Sequence, residues 1–411
     1  MPSSNKTPAF AFDIDGVLVK GSKALPGARE TLQHLQAQRI PFIFLTNGGG
    51  HTEAKHLAKL EQRLNMKLDP RQFVQSHTPF YDLVPEYRTK TVLVLGGSAD
   101  QIRDLALAYG FTRVVTSSDV MVERDHVHPF PEMAGAHHRQ YSRCYVTRGH
   151  EGNLATTPIA AILVWTSPRD WCLDLQLIND LLLSKGGFFG TRSEKNGDPT
   201  LPNCGYLQDG QPKLFLCNPD FKFSTQHSQP RFAQGAFREA LRGIWEYETD
   251  GRATLEYSMV GKPSDATYVY GERKLTEWNT ALNDESGSED LVEDKKQIDS
   301  VYMIGDNPES DIIGANIFQS RSGLSWTSVL VETGVYMRGT VPKHLPKHTT
   351  TDVKAAVEWA LQREGVEAAV VATEEQRQWE SESFRGSSSE QETSDSLSSS
   401  YASSISDEVT N

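Results

Sequence analysis

Carboxylates stand in pairs at two places in the chain, and each pair follows an apolar run. Asp13 and Asp15 occur in DIDG directly after residues 9–12, and Asp306 and Asp311 occur in GDNPESD directly after VYMI. Two carboxylates at the first spacing suit divided labour, with one as nucleophile and metal ligand and the other as proton donor to a leaving group. The second pair offers the hard oxygen ligands that hold Mg²⁺. Each pair alone also fits a simpler interpretation, namely aspartates that cap a helix or make a turn.

Two further stretches offer hydrogen-bond donors and a positive charge. Thr46 and Asn47 end an apolar run in LTN, and Gly48 begins the GGG that follows. The threonine hydroxyl suits a phosphoryl oxygen, and backbone amides freed by glycine suit an anion. Lys262, in VGKP, suits the neutralisation of charge on a transferred phosphate. The simpler interpretations are a turn with a glycine hinge and a solvated surface lysine.

Predicted strands and helices alternate along this part of the chain, and their order predicts where the four motif stretches lie in the fold. The order is strand, helix, strand, helix at residues 9–12, 28–38, 41–46 and 52–63, and it indicates a parallel sheet flanked by helices. Ligands of such sheets bind at the carboxyl ends of the strands. All four stretches follow or adjoin such strand ends. We therefore favour a shared catalytic site over four unrelated caps, turns and surface residues.

The same α/β rhythm restarts inside the chain and then resumes. Residues 82–223 are predicted to form an inserted second domain, and residues 1–81 with 224–371 form a discontinuous core. Asn218 and Asp220, in NPD near the end of the insertion, either help to shape the substrate pocket or form an ordinary turn. Residues 283–296 are predicted to be an acidic surface insertion, and residues 372–411 a disordered Ser/Glu-rich tail.

The charge of the chain is concentrated in its polar segments. The net charge is −13 over 411 residues; residues 373–411 contribute −7 and residues 283–296 contribute −4, so about −2 remains for the rest. No basic stripe of the kind that binds nucleic acid is apparent. The four cysteines lack paired spacing and a secretory signal, and no apolar run approaches the roughly 20 residues of a membrane span.

In order, the stretches DIDGVLV, LTN, VGKP and GDNPESD resemble the four motifs of the haloacid dehalogenase superfamily. The insertion between the second and third motifs is similar to the α/β cap of its class IIA members. The phrases LTNGGG, SPRDWCLDLQLINDLLLSKGG, NPDFKF and RFAQGAFREAL resemble the cat-eye-syndrome critical region protein family and its fungal relatives. The resemblance covers roughly residues 9–363. It implies an α/β fold with a haloacid-dehalogenase-like, Rossmannoid parallel-sheet core and an inserted class IIA cap domain.

The resemblance also implies an activity and a role for each residue. The activity is that of a magnesium-dependent phosphatase that acts on a small phosphorylated metabolite through an aspartyl-phosphate. The implied catalytic residues are Asp13 as nucleophile, Asp15 as general acid and base, and Thr46 and Lys262 as phosphoryl contacts. The implied metal ligands are Asp13, Asp15 through its carbonyl, Asp306 and Asp311, and the implied substrate contacts are Asn47, Gly48, Asn218 and Asp220.

Other interpretations stay open at this point. One is a non-catalytic protein that keeps the fold for binding or regulation, and another is an indirect role in glycerophospholipid metabolism. Relatives suggest a mitochondrial location, but residues 1–8 are too short for an ordinary targeting peptide, so a cytoplasmic location is the alternative. The oligomeric state is open, with a homodimer through the cap as one arrangement.

Overall fold

The computed structural model describes residues 6–366 apart from 125, 144–152, 224–226, 228, 230 and 285–294. Its strands are β1 Lys6–Phe12, β2 Val19–Lys20, β3 Lys23–Ala24, β4 Phe42–Leu45, β5 Phe73–Val74, β6 Thr91–Leu95, β7 Arg113–Thr116, β8 Ala161–Val164, β9 Lys213–Leu216, β10 Lys222–Phe223, β11 Arg231–Phe232, β12 Ser258–Met259, β13 Gln297–Gly305, β14 Ser325–Val331 and β15 His348–Thr350. Its α-helices are α1 Ala28–Ala37, α2 Glu53–Leu64, α3 Val84–Tyr87, α4 Gln101–Tyr109, α5 Ser117–Glu123, α6 Gly135–Tyr141, α7 Trp171–Leu183, α8 Gln234–Glu248, α9 Asp265–Asp284, α10 Ile313–Ile317 and α11 Val353–Arg363.

The first sheet is a parallel sheet of six strands in the order β15-β14-β13-β1-β4-β5. Both of its faces are covered, which is why its strands are continuously apolar. Along β1, Phe10 and Phe12 pack with α1, α2 and α11 on one face, whereas Ala9 and Ala11 pack with α9 and α10 on the other. This core was expected from the sequence, and the structure confirms it.

The second sheet is the centre of the inserted cap. It has five parallel strands in the order β12-β9-β8-β6-β7. Leu93 and Val164 pack on one face with α7 and α8, and Val92 and Leu163 pack on the other face with α4. The predicted fold class, an α/β core with an inserted α/β cap, is confirmed.

The last cap elements lie further along the chain than the sequence pattern predicted. Helix α8 was expected to return to the core, but its Phe237, Leu241 and Trp245 are buried in the cap cluster, and β12 pairs with β9 of the cap sheet. An amphipathic helix shows that it has a buried face but not which sheet that face contacts. We therefore propose that the cap extends from about residue 82 to about residue 260, instead of ending at 223.

Two sequence predictions concern residues that the structure describes little or not at all. The tail at 372–411 lies outside the described residues, as do positions 285–294 of the acidic insertion.

None of the helices in the described ranges combines the length and apolar composition that a membrane span needs.

Candidate active site

The site lies at the carboxyl edge of the core sheet, where neighbouring strands end. Asp13 follows β1, Asp306 follows β13, and Thr46 follows β4. Because β13, β1 and β4 are adjacent and parallel, their ends meet at one edge of the sheet. Lys262 comes from the turn before α9 and reaches the same edge.

Lys262 joins two of the predicted carboxylates. Its Nζ lies 2.8 Å from Asp13 Oδ1 and 2.7 Å from Asp311 Oδ1, and its side chain is only 1% exposed. Burial by itself would lower the pKa of this ammonium, but the two carboxylates outweigh burial and hold the pKa above its usual range. Lys262 is therefore a permanently charged group in the site, not a solvated surface lysine.

The carboxylates outnumber the cation that pairs with them. Ligand atoms of Asp13, Asp306 and Asp311 all lie within 4.8 Å of one another. With all three carboxyls ionised, this group and the ammonium of Lys262 would carry a net charge of −2, which the protein opposes by raising two of the carboxyl pKa values. Burial raises the pKa of Asp311 to about 7 despite the nearby Lys262, and burial together with the Asp13 and Asp311 charges raises that of Asp306 well above its ordinary value. A divalent cation would remove this imbalance, and an all-oxygen set is what Mg²⁺ prefers, so these residues fit a magnesium site.

Asp306 is held by a loop that the sequence analysis did not single out. Val335 N donates to Asp306 Oδ2 at 2.5 Å, and Tyr336 N donates to its carbonyl at 3.1 Å. The loop can approach because Gly334 has no side chain: a Cβ there would lie 1.9 Å from Asp306 Oδ2. A signal was present, since these residues follow β14, the next strand of the same sheet.

Asp15 is exposed, unlike the other aspartates of the site. Partial desolvation by the surrounding protein raises the pKa of its carboxyl, and the charge on Asp13 raises it further. The turn that carries it is closed by Gly16 N, which donates to the Val19 carbonyl at 2.8 Å. An exposed carboxyl with a raised pKa beside a nucleophile candidate suits proton transfer to and from a substrate.

Thr46 is buried, and its hydroxyl has a fixed orientation. Gly48 N donates to Thr46 Oγ1 at 3.0 Å, which leaves the hydroxyl proton available for a phosphoryl oxygen. Gly48 itself makes this backbone contact at the start of the glycine loop. Its predicted contact with substrate stays a prediction.

Asn47 connects the core site to the cap. Its side chain accepts from Lys262 N at 2.7 Å and donates to the Lys262 carbonyl at 2.9 Å and to Asp220 Oδ2 at 3.2 Å. Asn218 Nδ2 donates to the Asn47 carbonyl at 2.9 Å, and Asp220 N donates to Asn218 Oδ1 at 2.8 Å. Burial raises the pKa of Asp220 to about 6, and Lys262 partly opposes the rise. The NPD segment thus forms a turn, and its Asn218 and Asp220 side chains also contact Asn47 of the core site.

Comparisons with known proteins agree with this architecture. The family model described as haloacid dehalogenase-like hydrolase matches residues 10–112. A second model, described as HAD-hydrolase-like, matches residues 259–357 and thus begins within β12. A mitochondrial hydrolase of Saccharomyces cerevisiae is 34% identical over 371 residues, covering 88% of this chain and 97% of that protein. A Schizosaccharomyces pombe protein, named as a fusion of cardiolipin synthase and a mitochondrial hydrolase, is 35% identical; the match covers 88% of this chain but only 55% of the fusion protein.

Solved structures share the fold at low sequence identity. A possible sugar phosphatase from Cytophaga hutchinsonii aligns with a TM-score of 0.54 at 14% identity, covering 85% of this chain and 94% of that one. A p-nitrophenyl phosphatase from Archaeoglobus fulgidus aligns with a TM-score of 0.52 at 16% identity, covering 86% and 99%. With its four motifs in order and an α/β cap inserted between the second and third, this chain belongs to the haloacid dehalogenase-like hydrolases, class IIA.

Proposed function

We propose that this enzyme hydrolyses phosphate monoesters through a phosphoryl group carried on Asp13. The observation that carries the proposal is the buried ammonium of Lys262 between Asp13 and Asp311 at 2.8 and 2.7 Å, beside the open carboxyl of Asp15. A protein that only bound a ligand would have no need to bury an excess of carboxylates, which costs folding free energy. The arrangement therefore supports catalysis over the binding-protein alternative.

Each step of the proposed reaction is assigned to a residue of the site. An oxygen of Asp13 attacks phosphorus, and the bond between phosphorus and the leaving oxygen breaks as that oxygen takes the proton of the Asp15 carboxyl. Water then gives a proton to the Asp15 carboxylate and attacks phosphorus, which breaks the bond to Asp13 and releases inorganic phosphate. Lys262 and the Thr46 hydroxyl hold the negative oxygens of the phosphoryl group throughout.

Magnesium is the cofactor that we propose for this site. Asp13, Asp306 and Asp311 would hold it, with the Asp15 carbonyl as a further ligand. When bound, the cation would neutralise charge on the phosphoryl oxygens and on the carboxylates around them. The excess of three clustered carboxyls over the one ammonium of Lys262, with the raised pKa values of Asp306 and Asp311, is the property of these residues that supports a divalent ion.

The proposed substrate class is a small phosphorylated metabolite. Curated relatives over a shorter region include an acid sugar phosphatase of Staphylococcus epidermidis, 29% identical over 90 residues, which supports sugar phosphates as a first panel. The fission-yeast fusion with cardiolipin synthase supports a second panel of glycerol phosphates from glycerophospholipid metabolism. The names of both fungal relatives also support a mitochondrial location, which a fluorescent fusion in living cells would test.

The direct test is hydrolysis of p-nitrophenyl phosphate and of both panels, with Mg²⁺ and with EDTA. We expect activity only with Mg²⁺, and none in Asp13→Asn, because the amide cannot attack phosphorus. Asp299 lies on β13 and forms a partly exposed ion pair with Lys6 of β1, so Asp299→Asn is the matched control and should keep wild-type turnover. Full activity in Asp13→Asn, or in wild type with EDTA, would contradict the proposal.

A further inference from the structure

A second group of potential metal ligands lies in the cap. His128 Nε2 is 2.9 Å from Asp170 Oδ2, and His138 Nε2 is 3.2 Å from the same oxygen. The three ligand atoms lie within 4.8 Å of one another, and both imidazoles are buried. They come from the loop after α5, from α6 and from the residue before α7. The sequence analysis did not bring them together, because the three residues lie in separate segments of the chain.

Two of the three spacings among these atoms are close to those of ligands around a tetrahedral metal ion, and the third is within 4.8 Å. Nitrogen and oxygen ligands lie about 2.0–2.1 Å from Zn²⁺, so neighbouring ligand atoms are roughly 3.3 Å apart. The two distances to Asp170 Oδ2, 2.9 and 3.2 Å, are within a few tenths of an ångström of that value. Small shifts of the side chains would therefore suffice to admit an ion.

Two of the three ligands are oriented by further hydrogen bonds. Ser118 Oγ lies 2.9 Å from His138 Nδ1 and so fixes the ring with Nε2 towards the cluster. Asp170 Oδ1 accepts from Leu173 N at 3.0 Å, as the N-cap of α7, which leaves Oδ2 for the cluster. Such supporting bonds are typical of metal-binding histidines and carboxylates. Phe130 N donates to His128 Nδ1 at 3.4 Å, and this long bond would have to be given up for Nε2 of that ring to bind a metal ion.

The cluster opens onto a cavity of about 610 Å³ lined by cap residues. Asp174, one turn after Asp170 on α7, lines the same cavity; it is 3% exposed, and its Oδ1 has no hydrogen-bond partner. A buried carboxylate oxygen without a donor is costly. A water bound to a metal ion in this cavity would supply that donor.

The position of the cavity in the cap sheet is one where α/β proteins bind ligands. The chain passes from β6 to β7 on one side and then to β8 on the other, so the strand order reverses at β6. Gly96, Ser117 and Arg169, which follow the carboxyl ends of these three strands, all line the cavity. A crevice at such a reversal is the usual ligand site of an open parallel sheet.

We propose that the cap binds a divalent transition-metal ion of the Zn²⁺ type through His128 Nε2, His138 Nε2 and Asp170 Oδ2. A fourth ligand such as water would come from the cavity, which Asp174 also lines. Imidazole donors distinguish this site from the all-carboxylate set in the core, which suits Mg²⁺. The bound ion would fix the segment from 126 to 143 against the cap sheet. The alternative is a metal-free cluster in which both imidazoles donate to Asp170.

The test uses the full chain stripped with a chelator and then titrated with Zn²⁺ against a chromophoric competitor, in excess Mg²⁺ to occupy the core carboxylates. We expect one Zn²⁺ to be retained per chain and the melting temperature to rise. His138→Gln and Asp170→Asn should remove this binding, and Ser118→Ala should weaken it by about 10-fold or more. His137→Gln is the matched control, because His137 also lines the cavity but is not in the cluster.

Two outcomes would overturn the proposal. One is that wild-type chain retains no Zn²⁺ under these conditions, and the other is that His138→Gln and Asp170→Asn retain as much as wild type. Should those variants fail to fold, X-ray absorption of the Zn²⁺-loaded wild type decides the question. Scattering from two imidazole rings supports the site, and a shell of oxygen alone contradicts it.

Discussion

At the scale of single residues, Lys262 determines the charge balance of the active site. It is the cation that contacts both Asp13 and Asp311, and all three groups are largely removed from water. A buried ion pair of this kind adds little net stability, but removal of one partner leaves the other charge buried and uncompensated. The stability of the core should therefore depend on this lysine, in addition to the catalytic role proposed for it.

Replacement of Lys262 by Met should lower the stability of the protein far more than the loss of a surface ion pair does. Without metal, we expect the free energy of unfolding to fall by about 3–5 kcal/mol, and phosphatase activity to be lost. Added Mg²⁺ should stabilise Lys262→Met more than wild type, because the ion replaces part of the missing charge. Lys343→Met, which breaks an exposed pair with Glu309 at 2.8 Å, should change stability by only about 0–1 kcal/mol. Urea unfolding measures both, and similar losses in the two variants would argue against this account.

Asp15→Asn should uncouple the two halves of the reaction. The variant keeps Asp13 and the backbone carbonyl of residue 15, but it lacks the carboxyl that we propose as proton donor and base. A nitrophenolate leaves without a proton, so rapid mixing should show a burst approaching one nitrophenol per site, followed by slow turnover. Alkyl phosphates, which need the general-acid contribution of about 10² to 10⁴, should be nearly inert. An equal, burst-free loss for both ester types would count against this role.

At the scale of elements, the loop after β14 sets the position of Asp306. Its amides at Val335 and Tyr336 bind that residue, and Thr333 Oγ1 donates to the Gly16 carbonyl at 2.5 Å. The loop thus joins the ends of β1, β13 and β14. The absence of a side chain at Gly334 is what permits this close approach.

Gly334→Ala should weaken magnesium binding without unfolding the chain. The added Cβ would lie 1.9 Å from Asp306 Oδ2, so the carboxylate or the loop must move. We expect the Mg²⁺ concentration for half-maximal activity to rise by roughly tenfold or more. Gly243→Ala, on helix α8 with nothing within 4 Å of the new atom, should leave that value unchanged. Equal magnesium dependence in the two variants would show that Asp306 tolerates the displacement.

At the scale of the whole molecule, His77 lies where the core meets the cap. Its Nδ1 is 2.9 Å from the Tyr109 hydroxyl of α4, its ring packs on Trp165 at the end of β8, and a Cβ on Gly49 of the core loop would touch it. The side chain is fully buried, and burial lowers its pKa to about 3. His77 is therefore neutral in the folded protein but titrates normally when the chain unfolds.

This difference makes stability depend on pH with a predictable sign. Between the unfolded pKa near 6.5 and the folded value near 3, the unfolded chain binds a proton that the folded chain does not, so stability falls as the pH falls. The His77 contribution should be about 2 kcal/mol less favourable at pH 5 than at pH 7.5. His77→Asn should remove that part of the pH dependence in urea unfolding, whereas His126→Asn, at an exposed position, should not. An unchanged pH dependence in His77→Asn would refute this.

The sequence by itself determined the fold class and the edge of the sheet where the site lies. Runs such as residues 9–12 and 301–304 are apolar throughout, which predicts strands covered on both faces, and the intervening helices require the strands to be parallel. Once the strands are parallel, polar residues at their ends must meet at one edge. Asp13, Thr46 and Asp306 could therefore be assigned to one site from their order alone, although their roles stay predictions.

Only the tertiary structure decided which distant groups touch. Three contacts join parts of the chain that are distant in sequence, and no local sequence pattern predicts them. They are the pairing of Lys262 with Asp311, the approach of the loop at Val335 to Asp306, and the packing of α8 on the cap sheet. An apolar stripe records that a helix has a buried face but not its partner. The cluster around Asp170 is the extreme case, because its ligands come from three separate segments and become a site only when the cap sheet brings those segments together.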